Sequence, residues 1–246
     1  MSWHSLFSLV GMLLGSAVAI RLARYLVRDD RVYPFAIAVV VGGLAGARVA
    51  HIVDNPGLYG GDIVKMIDLS RGGIGTIGAP IGSTIAGLLA CAALRLPMGF
   101  MFDVTVIGIS LGEGIGRIGD IINGEHHSVA CTGLPWCVRY TNANTLGQAT
   151  PVHPIGLYDA LLMLVMFVAL YLYWLRVRGR PPESRVYWAY LLLFGGGRFL
   201  QGLIRVEPVV GFGWTEAQIL GALYVVAAAV VLPWLTLWDQ RRAFRQ

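Results

Sequence analysis

Residues 100–127 read "FMFDVTVIGISLGEGIGRIGDIINGEHH", an apolar run that ends in charge and amide. The part up to Ile122 is long enough to cross a hydrocarbon core as a helix, which takes about 20 residues. Yet Glu113, Arg117 and Asp120 stand inside it, and Asn123, Glu125, His126 and His127 follow at once in "GRIGDIINGEHH" (116–127). If this run crosses a membrane, the cluster at its end requires a reason of its own.

The rest of the chain supports the membrane reading. Of 246 residues, 56% are hydrophobic and only 13% are charged, and the mean hydropathy is +0.66. A soluble domain carries about 25% charged residues. The net charge of +5 raises the question of nucleic acid, but its placement answers it: 18 of the 19 basic residues are Arg, mostly in short loops between apolar runs. That pattern orients membrane proteins, and no nucleic-acid partner is expected.

The predicted fold is an all-α membrane protein, one integral-membrane domain over 1–246 with seven transmembrane helices. The spans fall near 5–21, 33–53, 74–94, 100–122, 155–175, 186–204 and 213–236, with one long loop at 123–153. The first run lacks a basic leader and a small-residue cleavage site, so it reads as a retained helix. Short alternating segments are missing, which argues against a barrel. Arg21, Arg24, Arg28, Arg31, Arg95, Arg176, Arg178, Arg180, Arg185, Arg241, Arg242 and Arg245 all fall on one side, while Lys65, Arg71, Arg139 and Arg205 fall on the other. The positive-inside rule then places the N-terminus outside, the C-terminus in the cytoplasm, and the 116–127 cluster and long loop on the outer side.

Glycine is abundant, and Gly108, Gly112 and Gly116 form one row at helical spacing, Gly42 and Gly46 another. Such rows let helix backbones approach closely in lipid. The run "GGIGTIGAPIG" (72–82) is denser than packing needs and reads as a broken or re-entrant stretch, which a membrane tolerates only inside protein or a wet cavity. Cys91 lies in an apolar run and reads as a core residue. Cys131 and Cys137 share the outer loop, where a disulfide is feasible in an oxidising compartment.

Arg48, Arg117 and Arg198 lie on three separate predicted spans, with Glu113 and Asp120 as the acidic groups counted against them. A charge near mid-membrane costs at least about 2.5–3.5 kcal/mol, so it faces a partner or a cavity. Glu113, Arg117 and Asp120 share one helix face, and an internal ion-pair network is the plain reading of Glu113 with Arg117. Three Arg against two acids leave positive charge over, which an anionic ligand would satisfy. A guanidinium fork matches phosphate, and a phosphate carrying long apolar tails is a phospholipid.

Taken in order, these motifs resemble the bacterial prolipoprotein diacylglyceryl transferases. The family signature G-R-x-G-N-F-x-N-x-E is similar to Gly116-Arg117-Ile118-Gly119-Asp120-Ile121-Ile122-Asn123-Gly124-Glu125. "GARVAH" (46–51), "TGLPWCVRY" (132–140), "HPIGLYDALL" (153–162) and "GRFLQGLIR" (197–205) resemble its G-x-R, T-x-L-P-W-G-V, H-P-x-x-L-Y-E and R-F-x-x-E-x-x-R segments. The likeness covers nearly the whole chain. It implies transfer of the diacylglyceryl group of phosphatidylglycerol to the lipobox Cys thiol of a prolipoprotein, at the inner membrane and on its outer side. It also implies catalytic roles for Arg117, Arg198 and Glu125. Substrate-binding roles fall to Arg117, Asn123, Arg48, Asp120, His153 and Tyr158, and no metal or cofactor is implied.

The chain departs from the family pattern at Ile77, where a His belongs, and at Asp120, where the signature has Asn. It departs again at Ser128 for Gly, Gly202 for Glu, His4 for an amino-terminal Tyr, and Cys137 for Gly. His51, His126, His127 and His153 are the candidates to stand in for the missing imidazole. His153 with Pro154 also reads as a helix start, and Tyr158 as an interfacial anchor. His126 and His127 are adjacent and would point apart on a helix, which argues against a metal pair. Two function classes stay open: the transferase, and a non-catalytic phospholipid-binding or lipid-moving protein on the same scaffold. A small-molecule transporter is disfavoured because the two halves show no internal similarity.

Overall fold

The computed structural model describes residues 3–68, 73, 75, 78–142 and 144–243, with side chains as far as Leu237. Ile77, Arg71 and Arg245, and the side chains of Arg241 and Arg242, lie outside the described residues. Long helices dominate: α1 (Trp3–Ala23), α2 (Val32–Asp54), α5 (Gly78–Leu94), α6 (Met98–Asn123), α7 (Ile155–Val177), α8 (Arg185–Gln201) and α9 (Glu216–Ala243). Between them lie short α3 (Pro56–Tyr59) and α4 (Ile63–Ile67), and a small hairpin of β1 (Val209–Gly211) with β2 (Trp214–Thr215).

Five of these are long and apolar enough to cross a membrane: α1, α2, α6, α7 and α9 as far as Leu237. The other two predicted spans fall on α5 and α8, 17 residues each, short of the roughly 20 a perpendicular crossing needs. Large apolar side chains such as Leu13, Val49, Val165 and Val230 are exposed along these helices, the surface expected against lipid rather than water.

The chain divides into two compact units, Ile20–Phe102 and the combination of Met1–Ala19 with Asp103–Gln246. In the first unit α2 packs on α5 through the predicted glycine row. A Cβ on Gly82 would lie 2.8 Å from the Gly46 Cα, so only hydrogen there permits this approach. Of the run predicted as broken or re-entrant, Gly78–Gly82 forms the opening of α5 as regular helix. The rest of it, apart from Gly73 and Gly75, lies outside the described residues. Before α2, Asp29 pairs with Arg31, and the Arg31 Nη1 donates to the Leu94 carbonyl at 2.8 Å. The hydrogen bonds that the Arg31 side chain donates to Asp29 hold its carboxyl below the usual range.

In the second unit α6 is central: half of its most apolar stretch is buried, against 17% for α1 and α9. Gly108 and Gly112 of α6 meet Gly15 and Gly11 of α1, with backbone against backbone. Asp103, buried near the start of α6, accepts from the Ser184 and Tyr187 backbone N–H groups at 2.9 and 2.8 Å. It thereby caps α8, whose own N-cap side chain makes no such bond.

The long loop folds back on the end of α8. Val129 N donates to the Ile204 carbonyl at 2.9 Å and Val206 N to the His127 carbonyl at 3.0 Å. Cys131 and Cys137 are bonded as a disulfide, which accounts for Cys137 where the family pattern has Gly. Val138 and Val152 exchange backbone hydrogen bonds at 3.0 and 2.9 Å, closing the loop at its base. The Tyr140 hydroxyl donates to the Ile121 carbonyl at 3.0 Å, and burial pushes that phenol above its ordinary pKa.

Candidate active site

At the C-terminal end of α6, charges from α1, α6, α7, α8 and the following segment converge within the second unit. Arg117 points into this cluster and is nearly buried. Its Nη2 donates to Glu113 Oε1 at 2.9 Å and its Nη1 to Asp120 Oδ2 at 2.9 Å, with Asp159 Oδ2 3.7 Å away. The helix makes this set possible: positions 113, 117 and 120 fall at i, i+4 and i+7, on one face.

Asp159, an acid inside an apolar span, is the hub of the cluster. Its side chain is 4% exposed and lies among three guanidinium groups: Arg117, Arg198 at 3.9 Å and Arg205, which hydrogen-bonds to it. Arg205 also donates to Glu207 at 3.0 Å. The expected excess of Arg is therefore not present in this unit. Arg117, Arg198 and Arg205 stand among five carboxylates, Glu113, Asp120, Glu125, Asp159 and Glu207. Against the balance expected from the sequence, Glu125, Asp159 and Glu207 join the acids, and Arg205 stands in this unit where Arg48 does not.

Arg48 belongs to the other unit. Its Nε donates to the Met66 carbonyl at 2.7 Å, its Nη1 to Gly73 at 2.8 Å, and its Nη2 to Lys65 and Asp68 at 2.6 Å each. Backbone carbonyls thus satisfy this buried guanidinium, and its Cζ lies 5.0 Å from the centroid of the Tyr59 ring.

Unused donors remain near Asp159. Arg198 Nη1 and Arg205 Nε are buried without a hydrogen-bond partner among the described residues. A buried donor left unmade costs about 1–3 kcal/mol, more when charged, so these two atoms mark where a further acceptor would be stabilised.

The remaining candidates sit around this centre. Asn123 Nδ2 donates to Glu125 Oε1 at 2.9 Å, fixing the signature carboxylate. His126 takes a left-handed backbone (φ 70°), uncommon for a residue with a Cβ, and its ring reaches Arg117 and Asp120 at 2.9 and 3.3 Å. His153 Nδ1 lies 3.2 Å from the Tyr158 hydroxyl, which accepts from the Trp136 indole at 2.8 Å. So Tyr158 ties the disulfide loop to α7 instead of standing alone at an interface.

The described departures acquire local reasons. Ser128 is buried and donates its hydroxyl to the His153 carbonyl at 2.6 Å. Beside Gly202 lies Gln218, whose Nε2 would be 3.1 Å from any Cβ there, so the glutamine fills the space of a longer side chain. His4 and Asp120 hydrogen-bond each other across 116 residues of sequence. Sequence reasoning missed Asp159, Arg205, Glu207 and His4 as site members. For Asp159 the signal was present: an ionisable residue inside an apolar span is a site candidate by default.

A helical protein with membrane-length apolar segments and a buried Arg–carboxylate cluster, with unused Arg donors, has the parts for holding an anionic headgroup at a bilayer. The model of the prolipoprotein diacylglyceryl transferase family matches residues 1–234, and the chain belongs to that family. Among its relatives is the phosphatidylglycerol–prolipoprotein diacylglyceryl transferase of Clostridioides difficile, 27% identical, covering 95% of this chain and 90% of the relative. The enzyme of that name from Gloeobacter violaceus is 29% identical, covering 99% and 90%. Enzyme 1 of Streptomyces coelicolor is 30% identical, covering 89% of this chain and 67% of its own length.

Proposed function

We propose that this chain transfers the diacylglyceryl group of phosphatidylglycerol to the lipobox Cys thiol of a prolipoprotein, forming a thioether and releasing glycerol phosphate. The observation that carries the reading is the buried Arg198 Nη1, without a hydrogen bond, beside the Asp159 hub in a chain of this family. A lipid phosphate seated there accepts from Arg198, with Arg117 the second guanidinium of the site. As the carbon–oxygen bond to the glyceryl carbon breaks, negative charge grows on the phosphate, and guanidinium groups fixed beforehand stabilise it without reorganising. Glu113, Asp120 and Asp159 hold Arg117 and Arg198 in place between turnovers. Asn123 orients Glu125, and the His153–Tyr158–Trp136 chain fastens the loop over the start of α7. Arg48, with its donors on backbone carbonyls, has the role of positioning Lys65, Met66, Asp68 and Gly73.

In this reading all seven long helices cross the inner membrane, with the N-terminus outside and the C-terminus in the cytoplasm. The charged end of α6 then opens to the outer side, where the lipobox Cys arrives. Purified protein, phosphatidylglycerol and a lipobox peptide test the activity: the peptide gains the mass of a diacylglyceryl group. An unchanged peptide with phosphatidylglycerol still bound to the protein makes the chain a lipid-binding protein instead.

A further inference from the structure

We infer that His4, oriented through Nδ1 by the Asp120 carboxylate, is the general base that takes the proton of the acceptor thiol. The inference rests on the transfer reading above. It starts from two departures, His4 and Asp120, that turn out to be one another's partners. Asp120 is 1% exposed and ionised beside Arg117, so it can only accept, and the imidazole must carry its proton on Nδ1. The lone pair is then on Nε2, on a side chain that is 44% exposed, and no described residue hydrogen-bonds that atom. A carboxylate that fixes the tautomer and turns the free nitrogen outward is how an imidazole becomes a positioned base.

A Cβ on Gly119 would lie 2.6 Å from the His4 Cα, so the start of α1 rests directly on the α6 backbone. The other charged groups facing His4 are Glu125, whose Oε2 is 3.5 Å from Nδ1, and Arg117, on the opposite oxygen of Asp120. One carboxylate therefore joins the proposed base to the proposed phosphate-binding cation. Among the other described His, His126 also meets Asp120, through Nε2 at 3.3 Å from Oδ2, but that same nitrogen is occupied by Arg117. His51 and His153 pair with tyrosine hydroxyls, and His127 with the Leu146 carbonyl.

The thiol proton passes to His4 Nε2, and the sulfur electron pair forms the bond to the glyceryl carbon. The carbon–oxygen bond breaks, its pair going to the phosphate oxygen, and glycerol phosphate leaves as the dianion. Asp120 and Glu125 stabilise the imidazolium until it returns its proton to water.

The test is the pH dependence of peptide modification by the wild type, His4→Gln, His4→Ala and Asp120→Asn in detergent with phosphatidylglycerol. Gln keeps a donor for Asp120 and cannot titrate. His4→Gln should lower kcat by about 10²–10⁴-fold, the usual worth of a general base, with little change in KM. It should also remove the acidic limb of the kcat/KM profile. Added imidazole should partly restore His4→Ala protein that still retains phosphatidylglycerol in native mass spectrometry. Asp120→Asn should shift the limb and lower kcat, as befits a positioning residue. An active wild type with unchanged kcat and profile in His4→Gln, or lipid-retaining His4→Ala without rescue, overturns the base role alone. A wild type that leaves the peptide unmodified overturns the transfer reading, and the base role with it.

Discussion

At the residue scale, Asp159 decides how the buried charges balance. Removing one partner of a buried ion pair typically costs about 3–5 kcal/mol, because the other charge stays uncompensated. Here one carboxylate serves Arg117, Arg198 and Arg205. Asp159→Asn should therefore lower the thermal midpoint of the detergent-purified protein more than Glu113→Gln does, since Glu113 meets only Arg117 among the described ion pairs. A smaller loss for Asp159→Asn would show that Asp159 is not the hub. Arg198 behaves in the opposite sense: with a buried donor unmade, its removal is felt chiefly when lipid binds. Arg198→Ala should cut phosphatidylglycerol retention in native mass spectrometry by about tenfold or more, the 1.5–3 kcal/mol of a charged hydrogen bond. Arg198→Lys should also fall short, since a point charge does not reproduce the fork.

At the scale of elements, the long helices were legible because long apolar runs allow little else, and the glycine rows announced which helices touch. What the rows withheld was the partner: nothing local says that Gly112 of α6 meets Gly11 of α1, with a Cβ on Gly112 only 2.7 Å from the Gly11 carbonyl oxygen. Gly112→Leu should cost about 1–3 kcal/mol or more from overpacking and lower the thermal midpoint, whereas Gly57→Ala, with open space around it, should be neutral. The site was legible in pieces for the same reason. Arg117 and Asp120 announced themselves as charges in an apolar helix, and the disulfide followed from two Cys in one loop. The His4–Asp120 pair and the Arg205–Asp159 pair depend on packing between distant segments, and no spacing rule reaches across them. For Arg48, the backbone carbonyls that take up its donors leave no mark in the sequence. The loop gives a pH test of its own. Burial raises the Tyr140 pKa, so its neutral form is favoured on folding, and this stability is complete below about pH 10, the unfolded value, and lost as pH rises through the folded one. Tyr140→Phe should flatten that alkaline loss in a pH series of melting curves.

At the scale of the whole molecule, the claim at risk is sidedness. α7 has 23 residues, and at 1.5 Å per residue a helix of that length spans the roughly 30 Å hydrocarbon core. It joins the disulfide loop at one end to Arg178 and Arg180 at the other, so if α7 crosses, these two segments face different compartments. The Arg side should be cytoplasmic, because basic residues resist translocation. The disulfide belongs on the opposite side, since oxidising compartments keep such bonds and the cytosol reduces them. Charge and redox chemistry are independent arguments, and they agree. Single cysteines at Ala149 and at Arg180, both exposed, read the outcome directly. The native thiols do not interfere, as Cys91 is buried and the other two are bonded. In intact spheroplasts Ala149→Cys should react with a membrane-impermeant maleimide, and Arg180→Cys should react only after lysis. Reversed labelling would put the charged end of α6 in the cytoplasm, away from any thiol arriving at the outer face. Transfer at the outer face would then be ruled out even with every ion pair in place.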